Sequence, residues 1–143
     1  MALVYRVEHA VLGGGPYRPY GQDHDRGEEF WPEGADEELR RFSDDLCDAH
    51  GWYEGDADGV LRPTGSRDGL RVTAGRIYGC PSVATLRRWF NHYGSALEEN
   101  GFVVTLYAVP EAHISRGLSK MQVAFDPKYA AVVRTMSPTQ YIS

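Results

Sequence analysis

Lysine, cysteine and long apolar runs are all scarce in this chain of 143 residues. It has two lysines and two cysteines, and its 20 acidic residues outnumber the 15 basic ones, so the net charge at pH 7 is −5. An acidic balance with no basic stripe of interleaved aromatic residues argues against direct binding of DNA or RNA. No apolar run approaches the roughly 20 residues that a membrane-spanning helix needs, and the early charges argue against a signal peptide. We therefore expect a cytoplasmic protein with no membrane partner.

Two cysteines and five scattered histidines also limit covalent and metal chemistry. Cys47 and Cys80 lie beside apolar residues of a predicted helix or helix entry, where buried and reduced thiols are usual. The segment from Asp23 to Asp25 gathers donor side chains locally, but its spacing does not close a metal shell. We predict no disulfide, no metal site, no cofactor and no catalytic nucleophile.

The rest of the composition is that of a folded domain. Hydrophobic residues make up 42% of the chain and aromatic residues 12%, values typical of globular proteins. The length suits one hydrophobic core, so we predict a single α+β domain over residues 1–143. We expect a mixed, mainly antiparallel sheet of about four to five strands that packs against two main helices. An acidic, loop-rich middle (20–69) and a C-terminal tail (136–143) complete the prediction.

Apolar spacing and capping residues predict the two helices. Asp36 can cap a helix over residues 36–50, whose apolar side chains recur at helical spacing up to Gly51. Ser82 is a natural N-cap for a second, longer helix that ends at Asn100 and Gly101. We expect the apolar stripe of the second helix to anchor the core.

Alternation and apolar runs predict the strands. Leu3 to His9 alternates, which indicates a half-buried strand with Arg6 and Glu8 on its polar side. Phe102 to Val109 is apolar on both faces and is the best candidate for the central strand. Residues 70–78 and 120–125 predict further strands. After Asp126 and Pro127 we expect a short helix to about Arg134, followed by the tail.

The polar sides of the first and last predicted strands suggest a ligand site. If these strands pair, Arg6 and Glu8 share a face with Lys120 and Gln122. Arg6 would then supply charge, the amides of the Gly13–Tyr20 loop would hold a phosphate, and Tyr17 would stack on a planar group. The alternative is an exposed sheet face with an Arg6–Glu8 pair. The candidate ligand-binding residues are Arg6, His9, Gly14, Gly15, Tyr17, Arg18 and Gln122.

The acidic middle suggests a second kind of function. Between Asp23 and Asp58 there are 14 Asp or Glu residues against three Arg. Such a surface can mimic phosphate and occupy a basic partner protein, or it can be an ordinary solvated exterior. For the first interpretation, the candidate partner-binding residues are Asp44, Asp45 and Asp48.

Short segments at both ends of the chain form a pattern of order and spacing that skips the acidic middle. They are residues 5–9 (YRVEH), 15–17 (GPY), 82–86 (SVATL), 89–90 (WF), 101–102 (GF), 107–110 (YAVP) and 122–125 (QVAF). This pattern resembles a group of small uncharacterised proteins from phages of GC-rich actinobacteria. The resemblance implies a phage accessory protein in the host cytoplasm, and small phage proteins of this sort often antagonise host defence.

A fainter likeness is to minimal ADP-ribosyltransferase-type domains. These carry an Arg or His on an early strand, an aromatic residue or Ser on a middle one, and Glu or Gln on a late one. Arg6 or His9, Tyr78 or Ser82, and Gln122 match that order. A glutamine where a transferase commonly uses a catalytic Glu favours binding over turnover.

Three functional hypotheses follow from these observations. The first is a non-catalytic phage accessory protein that binds a small nucleotide-like ligand, sequestering a host immune signal. The second is an acidic inhibitor that binds a host protein. The third is an ADP-ribosyltransferase-like enzyme. Self-association of the chain stays open at this point.

Overall fold

A computed structural model describes residues 1–17, 19–20, 35–50, 70 and 75–143, and its strands fall into two antiparallel sheets. Each sheet has three strands within the described ranges. The strands are β1 (Ala2–His9), β2 (Ile77–Gly79), β3 (Phe102–Val109), β4 (Ile114–Arg116), β5 (Val123–Phe125) and β6 (Ala131–Met136). The helices are α1 (Glu37–His50), α2 (Val83–Trp89) and α3 (Gly94–Glu99), and short 3₁₀ turns cover Glu111–His113, Pro127–Tyr129 and Pro138–Gln140. The predicted α+β class is confirmed.

The first sheet has the order β1–β3–β6, so the strand predicted to be central is central. β1 pairs with β3 along its whole length, from Ala2 opposite Val109 to His9 opposite Phe102. Helices cover the face that carries Val7, Phe102 and Val104, and the second sheet packs against part of the other face. Cover on both sides explains why the sequence of β3 is apolar throughout.

The second sheet has the order β2–β5–β4 and meets the first at one backbone bridge. In that bridge Tyr5 N donates to Cys80 O at 2.9 Å, and Cys80 N donates to Tyr5 O at 2.7 Å. β2 therefore stands between β1 and β5. The first and last predicted strands do not pair, so the condition for one shared polar face is not met.

Helix α1 confirms the predicted helix and its cap. The Asp36 carboxylate accepts hydrogen bonds from the backbone N–H groups of Glu38 at 2.8 Å and Leu39 at 3.2 Å. These bonds satisfy two of the N–H groups that a helix start leaves without partners. Leu46 and Leu39 then point into the core. Cys47 and Cys80 are reduced and buried, as predicted.

The single long helix predicted after Ser82 is wrong, because the segment forms two short helices. Ser82 does cap α2, and its Oγ accepts a bond from Thr85 N at 3.1 Å. The chain then turns at His92, whose φ of 74° lies in the left-handed region and interrupts a helix. α3 begins at Gly94, where a Cβ would overlap the carbonyl oxygen of Ile142. Close approach of the C-terminal segment thus requires the glycine.

Residues 120–125 form a strand only from Val123 onward. Lys120 has a φ of 62°, and a turn closed by Gly117 N donating to Gln122 O at 3.0 Å occupies the beginning of the predicted strand. Most of the strand predicted over 70–78 lies outside the described residues, and β2 begins at Ile77.

The C-terminal predictions need two corrections. Residues 127–134 do not form a helix: one 3₁₀ turn leads into β6, in which Thr135 pairs with Thr105 of β3. β-branched Val132 and Val133 favour a strand, and the edge of β3 supplies the hydrogen bonds. The expected tail also contributes to the core. Ile142 is only 1% exposed and packs with Val7, Phe102 and the other buried side chains on the helix-covered face of the first sheet.

None of the helices in the described ranges has the length and apolar character needed to cross a membrane.

Candidate functional site

A row of polar side chains lies on the face of the first sheet that the helices do not cover. Arg6 is directly opposite Thr105, and Val4 is opposite Tyr107. Residues opposite each other in antiparallel strands share a face, and alternate residues of one strand do so too. We call Arg6, Glu8, Thr105 and Tyr107 the polar row.

Hydrogen bonds hold the row together. Arg6 Nε donates to Glu8 Oε2 at 3.1 Å, and the two side chains are only 12% and 15% exposed. Tyr107 OH donates to both Glu8 oxygens, at 2.7 Å and 3.0 Å. Arg6 Nη1 donates to the backbone carbonyl of Tyr78 on β2 at 2.7 Å. The row therefore links both sheets through one ion pair that is largely removed from water.

This burial changes the pKa values of the row. Burial lowers the pKa of the Arg6 guanidinium, and the neighbouring Glu8 carboxylate opposes that shift. Burial raises the pKa of Tyr107 far above its ordinary value, and the hydrogen bond to Glu8 adds to the rise. Burial also raises the pKa of the nearby Tyr78. Perturbed ionisable groups gathered on one face mark candidate binding or catalytic sites.

Thr105 stands out within the row. It is 2% exposed, and its hydroxyl has no hydrogen-bond partner in the described part of the chain. Its neighbour Arg6 uses Nε and Nη1 but makes no hydrogen bond through Nη2 to any described residue. A buried hydroxyl without a partner costs roughly 1–3 kcal/mol, and such groups are uncommon in folded proteins.

The glycine-rich loop contacts the polar row at Arg6, and two of its amides donate to backbone carbonyls. Gly13 N donates to His9 O at 2.9 Å, and Gly14 N donates to Pro19 O at 3.1 Å. Gly15 packs against the guanidinium, because a Cβ there would lie 3.4 Å from Arg6 Nη2. The contacts place Gly15 beside Arg6 and leave the amides of Gly13 and Gly14 engaged within the loop.

Tyr17 packs on the helices. Its hydroxyl lies 2.6 Å from His50 Nδ1 and accepts a bond from Trp89 Nε1 at 2.8 Å. Its ring stacks on Phe90 with centroids 6.5 Å apart. The ring thus joins α1 to α2, and Arg18, the next predicted ligand residue, lies outside the described residues.

His9 lies on the opposite face of β1 from Arg6. Its ring packs edge-on against Phe102, and its Nδ1 accepts from Val11 N at 3.2 Å and Leu12 N at 3.1 Å. Beside it opens a groove of about 270 Å³ where the start of α1 meets the end of α3. The groove carries three carboxylates and one imidazole; its lining residues are His9, Asp36, Glu38, Leu39, Glu99, Asn100 and Gly101.

The remaining predicted residues are spread over the fold. Gln122 is 7% exposed and lies in the turn before β5. Ser82 caps α2, and Tyr78 lies on β2. The structure therefore places Arg6 next to Gly15 and the Tyr78 carbonyl, and it does not add His9 or Tyr17 to that group.

The acidic candidates all lie on the solvent side of α1. Asp44, Asp45 and Asp48 are exposed, and Asp44 and Asp45 form no ion pair with described residues. They occupy the same helix whose start borders the acidic groove.

Sequence reasoning missed Thr105 and Tyr107. β3 was interpreted as an apolar strand with cover on both sides, although its polar atoms sit two residues apart and so point to one face. That spacing is the signal that could have found them. Their pairing with Arg6 and Glu8 depends on the β1–β3 register, which a single sequence does not specify.

A model of the Bacteriophage T4 Y00F protein family matches residues 1–139. No curated protein and no solved structure matches the chain.

Proposed function

The chain belongs to the Bacteriophage T4 Y00F protein family, and we propose that this phage protein acts by binding a small nucleotide-like ligand at the polar row. Binding without turnover would let it sequester a small signal of the host's defence. The observation that carries the proposal is the largely buried Arg6–Glu8 pair with the partnerless Thr105 hydroxyl beside it.

A stability argument supports this choice of site. An ion pair of low exposure adds little net stability, because the cost of removing two charges from water offsets their attraction. Apolar side chains of similar volume at such positions often give a fold equal or greater stability. Retaining Arg6, Glu8 and Thr105 together on one face is therefore better explained by recognition than by folding.

Thermal-shift measurements against nucleotides, nucleosides, and cyclic or ADP-ribose-type signals test the proposal. A ligand at 100 times its dissociation constant stabilises the folded state by about 2.7 kcal/mol. Arg6→Met, which removes the guanidinium but keeps an apolar stem, should abolish the shift. Arg116→Met is the matched control, because Arg116 is exposed and, among the described residues, forms its ion pair with exposed Glu111. A folded sample that responds to no compound would contradict the proposal.

The acidic groove favours a second candidate, a basic partner protein bound through α1. Three carboxylates around about 270 Å³ suit an arginine or lysine side chain, and Asp44 and Asp45 continue the negative surface along the helix. Binding of this kind weakens as salt rises.

Pull-down from host lysate at low and high salt tests this candidate. Asp44→Lys with Asp45→Lys should remove a salt-sensitive partner. Glu111→Lys should not, because Glu111 belongs to the Glu111–His113 turn and not to α1, and it pairs locally with Arg116. Retention of the same partner by the double variant would rule the candidate out.

A further inference from the structure

The unused hydrogen-bonding groups of the polar row restrict the chemistry of its ligand. Arg6 Nη2 carries two N–H groups with no bond to described residues, and Glu8 Oε1 accepts one bond, from Tyr107. A carboxylate oxygen can accept two. The Thr105 hydroxyl, which can donate and accept, is also unused in the described part of the chain. The row thus offers a donor, an acceptor and a hydroxyl on one face.

Geometry keeps these groups close. Arg6 and Thr105 are opposite residues of β1 and β3, and opposite residues have Cβ atoms about 4.5–5.5 Å apart. Arg6 and Glu8 are joined by their 3.1 Å hydrogen bond. The Arg6 and Glu8 side chains keep 12% and 15% exposure, whereas Thr105 keeps only 2%.

The charge of the row disfavours a phosphate. The positive charge of Arg6 is matched by Glu8 at hydrogen-bond distance, so an anion would meet no net positive charge and would be repelled by the carboxylate. The amides of Gly13 and Gly14, which the sequence offers to a phosphate, donate to His9 O and Pro19 O instead.

We propose that the polar row recognises an uncharged planar amide edge, in which an acceptor faces Arg6 and a neighbouring donor faces Glu8, with Thr105 making a third bond. Nucleobases and carboxamides both present such an edge. This inference rests on the proposed function and changes what is recognised, from the phosphate of a nucleotide to its base.

Replacing Thr105 tests the proposal, because the change should stabilise the free protein and weaken ligand binding. In the free protein its hydroxyl is buried without a partner, so Thr105→Val should raise the melting temperature, by roughly 3 °C. In the complex the same change removes a hydrogen bond and should weaken binding roughly 3- to 10-fold. A merely structural role for Thr105 does not produce the second effect.

The experiment compares four nucleosides, their 5′-monophosphates, nicotinamide and inorganic phosphate by thermal shift and calorimetry. We expect one nucleoside or nicotinamide to bind as tightly as any phosphorylated compound, with an affinity that changes little between low and high salt. Thr105→Ser keeps the hydroxyl and should keep the affinity. Thr139→Val is the matched control, because Thr139 is an exposed threonine of the Pro138–Gln140 turn, outside β1 and β3.

The possible outcomes distinguish failure of the amide-edge inference from failure of the proposed nucleotide-binding function. Binding of monophosphates without binding of nucleosides, or binding of inorganic phosphate, overturns the amide-edge inference and leaves a nucleotide-binding function standing. Unchanged affinity of Thr105→Val also overturns the inference. Absence of binding by every compound overturns both.

Discussion

Replacing Glu8 by Gln should destabilise this protein far more than the same change at an exposed ion pair. The substitution keeps the size and shape of the side chain but leaves the Arg6 guanidinium without its counter-charge. Breaking a buried pair in this way costs roughly 3–5 kcal/mol. Because Arg6 and Glu8 keep 12% and 15% exposure, we expect the lower end of this range.

Urea unfolding followed by tryptophan fluorescence at pH 7 measures the effect. With an m-value of about 2 kcal/mol per molar urea, a loss of about 3 kcal/mol lowers the midpoint by about 1.5 M. Glu111→Gln is the control, because Glu111 and Arg116 are 58% and 53% exposed. That exposed pair should contribute no more than about 1 kcal/mol.

A double variant separates the lost pair from a general packing defect. Arg6→Met with Glu8→Gln removes both charges, keeps an acceptor for Tyr107 OH, and should recover most of the stability lost in Glu8→Gln alone. If Glu8→Gln costs no more than Glu111→Gln, or if the double variant is less stable than the single one, the reasoning about a buried pair is refuted.

Three further predictions concern the core. Gly94→Ala should destabilise by about 1–3 kcal/mol, because the new Cβ overlaps the Ile142 carbonyl; unchanged urea stability would argue against the close approach. Burial raises the pKa of the Cys80 thiol to about 12. A raised thiol pKa means that stability is complete below the unfolded value and falls as pH rises toward 12, so between pH 8 and 10 the wild type should lose about 1–2 kcal/mol more than Cys80→Ala, measured in reductant. Tyr17→Phe removes the part-buried hydroxyl that bonds Trp89 Nε1 and His50 Nδ1 and should cost about 1–3 kcal/mol, and a smaller loss with unchanged Trp fluorescence would contradict this.

Much of the local structure could be predicted because its causes lie within a few residues. The Asp36 cap, the Ser82 cap and the strand over Leu3 to His9 each depend on neighbouring positions, and all three predictions are confirmed. The expected half-burial of that strand is wrong, because Val4 on its predicted polar side is fully buried and Leu3 on the other side is 50% exposed. The turn at His92 could not be predicted, because the apolar stripe continues through it at helical spacing. Just after the turn, Gly94 packs against the C-terminal segment, a contact between residues far apart in the sequence.

The candidate site could be predicted only in part, for a related reason. The alternation already put His9 and Arg6 on opposite faces of the first strand, and the structure keeps them apart. The sequence predicts free amides in the loop, but the amides of Gly13 and Gly14 donate to His9 O and Pro19 O, contacts that depend on how the loop folds.

The order of residues alone specified the fold class, two helix starts, the central strand and the pairing of Arg6 with Glu8. Caps, alternation and short-range charge pairs act over a few positions. Only the tertiary structure decided which other side chains lie against the Arg6–Glu8 pair. Tyr107 donates to Glu8 from 99 residues away, and Thr105 reaches the same face only through the β1–β3 register. Register and burial depend on the packing of whole strands, which local preferences do not encode.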